Sequence, residues 1–376
     1  MGVTLTVLLG AGVLLAALII MRLRRPRRRA APVQIRPGDP VVGLPPRNPF
    51  YQARSLPDDL RAVTGPPGIG KSTTIYEYAH RHLEDFRFVG VVRAGRTELI
   101  PRAYADFATA LGIEPTDDPV TAVHQALKER ETWLILFDDA GDPAGLSPYL
   151  PPDGHYLVAS TSPEWCGVGL EPFERKQSVE FLRDRCSGLD RKQAGVLAEA
   201  LGDLPLALEL AGGYLDVSRV DDNRYVATVL TQMSRIRKKP MLALWSITSP
   251  YLRSQSPATF EALEMWSILD SEPVPLAVFG EGADADLVAR LGLAVHTGTH
   301  VLVHPLVQAL VRSGPDRRRR AAVVRAAALL RAHLTDAPDA AWEAVLPHVC
   351  AVLARPELNG DRTSSWLRHH LAFLDR

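Results

Sequence analysis

Cysteine is scarce in this chain. The three present among 376 residues, Cys166, Cys186 and Cys350, fit neither a disulfide framework nor a zinc site by their spacing. They read as reduced thiols, consistent with the cytosolic side of a membrane. No His/Cys cluster with metal-ligand spacing is visible either. Charge of one sign is also missing: 43 Lys plus Arg balance 43 Asp plus Glu, for a formal net charge of zero. That balance argues against a nonspecific nucleic-acid binder held by bulk charge. Apolar residues are plentiful at 46 %, enough for real cores, and the length calls for two or three domains.

The N-terminus holds a long apolar run without a charge. Residues 3–21 are rich in Leu, Val, Ala and Ile. At about 1.5 Å per residue they span about 28 Å, close to a hydrocarbon core of about 30 Å. Six arginines follow within residues 22–29, and none precedes the run. A cleaved signal peptide wants its positive charge first, and a buried soluble helix wants a polar face. The expectation is therefore a transmembrane helix over 1–21 in contact with the lipid bilayer. The chain would be a single-pass cell-membrane protein, N-terminus outside and the remainder cytoplasmic. A basic and proline-rich linker over 22–49 leads away from it.

Residues 65–72 read Gly-Pro-Pro-Gly-Ile-Gly-Lys-Ser, a complete phosphate-binding loop. Gly65, Pro66, Pro67, Gly68, Ile69 and Gly70 supply a backbone that can turn its N–H groups around a polyphosphate. Lys71 would reach the β- and γ-phosphates, and Ser72 would hold Mg²⁺; Thr73 follows in the same nucleotide-binding set. A helix over 72–84 would aim its positive end at the anion. The bland alternative is a Gly-Pro turn that binds nothing. About 65 residues later, an apolar run over 131–137 ends in Asp138 and Asp139. It reads as a buried parallel strand whose carboxyl end faces the ligand. Asp138 would complete the Mg²⁺ shell, and Asp139 would orient or polarise a water at the γ-phosphate. ATP or ADP with Mg²⁺ is the expected cofactor. Strands over 86–94 and 156–160, alternating with helices over 100–111 and 120–130, imply a parallel sheet covered on both faces.

From residue 172 the pattern turns helical, with Gly202-Asp203-Leu204-Pro205-Leu206-Ala207-Leu208 between two helices. Residues 291–296 and 300–303 read as a hairpin after helices, like the wing of a winged helix. The expected units are a P-loop NTPase domain over 50–171, a helical domain over 172–238, a winged helix over 239–316 and a helical, repeat-like tail over 317–376.

These motifs, in this order, resemble the NB-ARC branch of the STAND signal-transduction ATPases, over roughly residues 45–353. The Gly-Asp-Leu-Pro-Leu-Ala-Leu stretch is similar to the family's G-L-P-L-A-L motif. The resemblance places Pro205 against the adenine or ribose of bound nucleotide. Val303-His304-Pro305-Leu306-Val307-Gln308 falls at the family's Met-His-Asp position, which implies that His304 contacts the β-phosphate of ADP and holds the inactive state. Residues 44–50 with Arg54 resemble the segment that introduces these domains in bacteria, which places Arg54 with the nucleotide-binding set. Residues 342–349 resemble the entry to a tetratricopeptide array. The chain departs from the pattern at Thr161-Ser162, where the family has Thr-Thr-Arg, and at Pro305, which replaces an aspartate. A solenoid needs about three repeats, so a sensing half is expected to be absent, truncated or supplied by another protein.

The resemblance implies an ATP/ADP-dependent switch in signalling or defence, with ATP-dependent homo-oligomers, an unknown protein trigger and slow ATPase activity. A DNA-binding regulator using the winged helix is the alternative, although neutral charge argues against DNA as a partner. A pseudo-ATPase scaffold is the third reading. On the residues alone, Pro205 could simply start a helix, His304 could be a polar residue ending a wing strand, and the arginines at 317–320 could be a solvated face.

Overall fold

The computed structural model describes residues 40–374 apart from 58–59, 131, 153–154, 187, 237–238, 335–339 and 359–361. A six-stranded, all-parallel sheet forms the first layer system. Its strands are β1 (Val41–Val42), β2 (Ala62–Thr64), β3 (Val89–Arg93), β4 (Leu134–Ala140), β5 (His155–Ser160) and β6 (Val168–Gly169), in the spatial order β1-β3-β4-β5-β2-β6. Side-chain alternation along β4 divides the sheet's two cores. Ile135 and Phe137 pack with Phe88, Tyr104, Phe107 and Val123, beneath helices at Ile100–Ala110 and Pro119–Lys128. Leu134 and Leu136 pack with Ile75 and Ala79, under the helix α1 (Lys71–Arg81). Burial on both faces explains why this strand reads as an unbroken apolar run. Strand β5 lies between β2 and β4, and the phosphate loop joins β2 to α1 at the carboxyl edge.

A second body follows. Helices α2 (Arg175–Arg185), α3 (Arg191–Leu201), α4 (Pro205–Ser218), α5 (Asp222–Arg235) and α6 (Pro240–Gln255) lead to a three-stranded antiparallel sheet. Its strands are β7 (Val274–Pro275), β8 (Ala294–His296) and β9 (His300–Val303), in the order β7-β9-β8. The helices α7 (Ala285–Arg290) and α8 (Pro305–Arg312) flank the hairpin, and Asp316–His333 continues as an 18-residue helix into the tail. One continuous apolar core runs from Val179 through Trp266, Val301 and Val323 to Leu367. The helical segment, the small sheet and the tail are thus joined by hydrophobic burial.

The expected fold class needs one correction. Among the described residues no helix is long and apolar enough to cross a membrane. The longest of them, Asp316–His333, begins with an aspartate and four arginines and buries only one face. The run at 3–21 lies outside the described residues, so the fold is stated without a transmembrane helix, and the single-pass membrane localisation and the bilayer contact are withdrawn. The sheet also starts earlier than composition suggested: Val41 and Val42, inside the proline-rich stretch, pair with Val89 and Gly90 of β3.

Helix α4 and the end of α7 meet backbone to backbone. A Cβ at Gly213 would stand 2.5 Å from the Arg290 carbonyl oxygen and 2.6 Å from the Leu291 carbonyl carbon. Gly213→Ala is therefore expected to cost about 1–3 kcal/mol through overpacking, read as a lower urea midpoint of the full chain. An unchanged midpoint would contradict this close approach.

Candidate functional site

The phosphate loop closes through glycines that adopt φ values open to them alone among ordinary residues: Gly65 at 141°, Gly68 at 80° and Gly70 at 96°. Gly70 is the N-cap of α1, and no side chain caps that helix. The helix start therefore keeps its first N–H groups free of a capping side chain, which suits an anion there. Lys71 is buried, and its Nζ donates to the carbonyl oxygens of Gly65 at 2.9 Å and Pro66 at 3.1 Å. Burial lowers its pKa, against the pull of Asp139 and Asp138.

Asp138 is the hub. Ser72 Oγ donates to its Oδ1 at 2.6 Å, and Tyr76 Oη donates to its Oδ2 at 2.6 Å. Ser72 and Tyr76 stand four residues apart, so α1 presents both hydroxyls from one face. Burial, followed by the adjacent Asp138 charge, raises the Tyr76 pKa well above its ordinary value. Asp139 follows at a break in the β4–β5 register, with φ of 57°. Aspartate is among the few residues that accept this conformation. The turn points its carboxylate toward Gly95, with Oδ2 2.9 Å from where a Cβ there would sit. The surrounding protein, and secondarily Asp138, raise its pKa.

The second body reaches this loop from two directions. Helix α3 ends at Gly202, φ 69°, and Asp203 follows at φ 53°, held by two 2.8 Å bonds from Arg175. This corner sets Pro205 at the first position of α4, where its missing N–H is no loss. The next N–H, that of Leu206, donates to the Gly68 carbonyl at 3.2 Å. A Cβ at Gly68 would stand 3.1 Å from Leu306 Cδ1 and 3.3 Å from Leu206 Cβ. Leu306 comes from α8, whose N-cap is His304. His304 Nδ1 accepts the Leu306 N–H at 3.1 Å, which assigns the ring proton to Nε2. Pro305 stands at the first position of α8, so it forfeits no hydrogen bond there. Burial pushes the His304 pKa down to about 4, with Asp138 opposing and Lys71 adding to the shift.

Arg54 stands beside the loop and braces it. Its guanidinium donates to the carbonyl oxygens of Ile69 and Glu171, both at 2.8 Å, and lies over the Phe173 ring at 4.9 Å. The structure thus brings Lys71, Ser72, Asp138, Asp139 and His304 to one locus, with Arg54 and Pro205 at its rim. Sequence reasoning missed four members of this neighbourhood: Tyr76, Leu306, Arg93 and Glu272. Tyr76 was readable from its four-residue offset to Ser72. Arg93 Nε pairs with Glu272 Oε2 at 3.5 Å, and Arg96 Nη1 donates to Asp270 Oδ2 at 3.0 Å. Nothing local in the chain announces partners so far apart. The end of β5 bears no cation: Ser162 N–H donates to Ser160 Oγ at 3.0 Å, and Thr161 stands between them.

No family model matches the chain, and no curated protein matches it. Among solved structures, the chain is similar to a Signal Transduction ATPase with Numerous Domains (STAND) protein with a tetratricopeptide repeat sensor, from Pyrococcus horikoshii. The TM-score is 0.58 at 13 % identity, over 88 % of this chain and 51 % of that one. The chain shares its fold with that protein and spans about half of its length.

Neutral His304 belongs to the folded state. With a pKa near 4 when folded and about 6.5 when unfolded, its contribution is full above pH 6.5 and is lost on acidification through that window. Thermal melts of wild type and His304→Gln between pH 7 and pH 4 are expected to converge or cross, because the variant lacks this slope of at most about 1.4 kcal/mol per pH unit. Parallel pH profiles would contradict the burial of His304.

Proposed function

We propose that the chain is a STAND-type, nucleotide-dependent switch that binds ATP or ADP with Mg²⁺ at the phosphate loop. The observation that carries this reading is the double contact on Gly68, where Leu206 of α4 and Leu306 of α8 meet the loop that would hold the phosphates. One ligand there touches all three units. The residues fit such a ligand. The N-terminus of α1 is uncapped, the loop glycines hold the curvature, and Ser72 with Asp138 supplies hard oxygens suited to Mg²⁺. The bound metal would neutralise phosphate charge. Lys71 would exchange its carbonyl partners for the phosphates, and Asp139 would position water near the terminal one.

In this reading the units are an NTPase domain over 50–171, a helical domain over 172–238, a winged helix over 239–316 and a helical tail. Neutral His304, with its proton on Nε2, would donate to a β-phosphate and hold the winged helix closed. Pro205 would border the adenine or ribose. Exchange of ADP for ATP would release that latch and permit homo-oligomers, with a trigger supplied by another protein. Slow hydrolysis would reset it; a scaffold that binds and never hydrolyses would differ only in single-turnover assays. The DNA-binding reading loses ground, because α7, the helix before the wing hairpin, lies against α4 at Gly213 and receives the Arg185 guanidinium on its Arg290 carbonyl at 2.7 Å. A helix covered in this way is not free to enter a groove.

Lys71→Ala is expected to weaken ATP binding by about ten- to a hundred-fold, the worth of one charge-assisted contact at about 1.5–3 kcal/mol. Calorimetry on the full chain reads it, and wild-type affinity in the variant would overturn the assignment. His304→Ala should speed ADP release and raise the oligomer fraction in sedimentation, but only in part. Moving a two-state equilibrium from 1:99 to 99:1 needs about 5.5 kcal/mol, more than one histidine contact provides. An unchanged ADP off-rate would reduce His304 to a helix cap.

A further inference from the structure

Arg93 stands at the carboxyl edge of the large sheet, outside the phosphate loop. Arg93 ends β3 and sits in register with Asp138 of β4, and the following N–H, from Ala94, donates to the Asp138 carbonyl at 2.7 Å. Its side chain is 20 % exposed, and its ion-pair partner, Glu272, comes from the loop before β7 in the other body. The Nε to Oε2 distance of 3.5 Å is long for an arginine–carboxylate pair, which closes at about 2.7–2.9 Å when well made. Around it stand Tyr76, Asp138 and Asp139, the groups at the Mg²⁺ side of the loop. Asp270 and Arg102 also face Glu272. Arginine cannot shed its charge, and its planar fork matches phosphate as well as carboxylate.

We propose that Arg93 reads the terminal phosphate: it pairs with Glu272 in the closed form and exchanges that carboxylate for the γ-phosphate of ATP. The inference rests on the nucleotide-switch reading and adds a specificity residue to it. A γ-phosphate beside Arg93 takes its hydrogen bonds and repels Glu272, since like charges a few ångström apart in a partly buried site are costly. ADP has no such group and leaves the Arg93–Glu272 pair in place. The second ion pair, Arg96 with Asp270 at 3.0 Å, joins the same two segments and would lose its alignment once Glu272 moves. The nucleotide's third phosphate is thereby converted into undocking of the small-sheet body.

The test is calorimetric titration of the full chain, with Mg²⁺, using ADP and a non-hydrolysable ATP analogue. Arg93→Ala is expected to lose about ten- to a hundred-fold in affinity for the analogue and to keep its ADP affinity within about threefold. Glu272→Gln, which leaves Arg93 without a charged competitor, is expected to bind the analogue several-fold more tightly, with ADP little changed. The double variant Arg93→Ala/Glu272→Gln contains no orphaned carboxylate and should retain the analogue defect. If Arg93→Ala does not fold by circular dichroism, Glu272→Gln alone decides: an unchanged ratio of analogue to ADP affinity overturns the proposal. An unchanged ratio in a folded Arg93→Ala does the same. Wild-type chain that binds both nucleotides in those experiments keeps the switch reading intact while Arg93 falls. Wild-type chain that binds neither overturns the switch reading and this inference with it.

Discussion

The carboxylate of Asp138 holds the phosphate-loop helix to the central strand, and the rest of the site is arranged around it. Two hydroxyls from one face of α1, Ser72 and Tyr76, donate to its two oxygens. Hydrogen bonds to a charged group contribute about 1.5–3 kcal/mol each, so the pair fixes the helix over the strand end. Every ionisable neighbour then responds to one fixed negative charge. It supports the protonated forms of Lys71 and Arg93, and it opposes ionisation of Asp139 and Tyr76. Removing it would leave two hydroxyls without these partners and take one counter-charge from each of Lys71 and Arg93.

The two bodies are joined by different physics on their different sides. The helical segment, the small sheet and the tail share one apolar core, with hydrogen bonds such as Arg312 to the Ser267 carbonyl and Arg355 to the Ile268 carbonyl beside it. Beside the phosphate loop, the contacts across to the large sheet include ion pairs and a backbone bond: Arg93 with Glu272, Arg96 with Asp270, and the Leu206 N–H on Gly68, with Leu204 and Leu306 as apolar contacts. Burial raises the Glu272 pKa to about 7 against the pull of Arg93, so that carboxylate is held at a cost. An apolar core resists gradual change, whereas a short row of ion pairs can be exchanged for ligand contacts. In the proposed switch, this row of ion pairs beside the phosphate loop is the part that would move.

Much of the α/β layer was legible in the sequence. The run ending at Asp138 and Asp139 is apolar because both faces of β4 are covered, and the phosphate loop lies where its spacing put it. The hairpin after residue 291 was legible through its turn, although the small sheet has a third strand, β7, of only two residues. Two-residue strands such as β1 carry no periodicity to read. The ionic seam was hidden for another reason: Arg96 and Asp270 are separated by 174 positions, and side-chain patterns report burial within an element rather than the partner across a domain boundary. Tyr76, by contrast, was readable from its four-residue offset to Ser72, which puts both hydroxyls on one face of α1.

The most direct measurement is hydrogen exchange of the full chain with ADP and with a non-hydrolysable ATP analogue. The account predicts slow exchange in α1 with either nucleotide, and faster exchange at 304–308 and 270–275 with the ATP analogue alone. Exchange in those two segments that is the same with both nucleotides would contradict a seam controlled by the terminal phosphate.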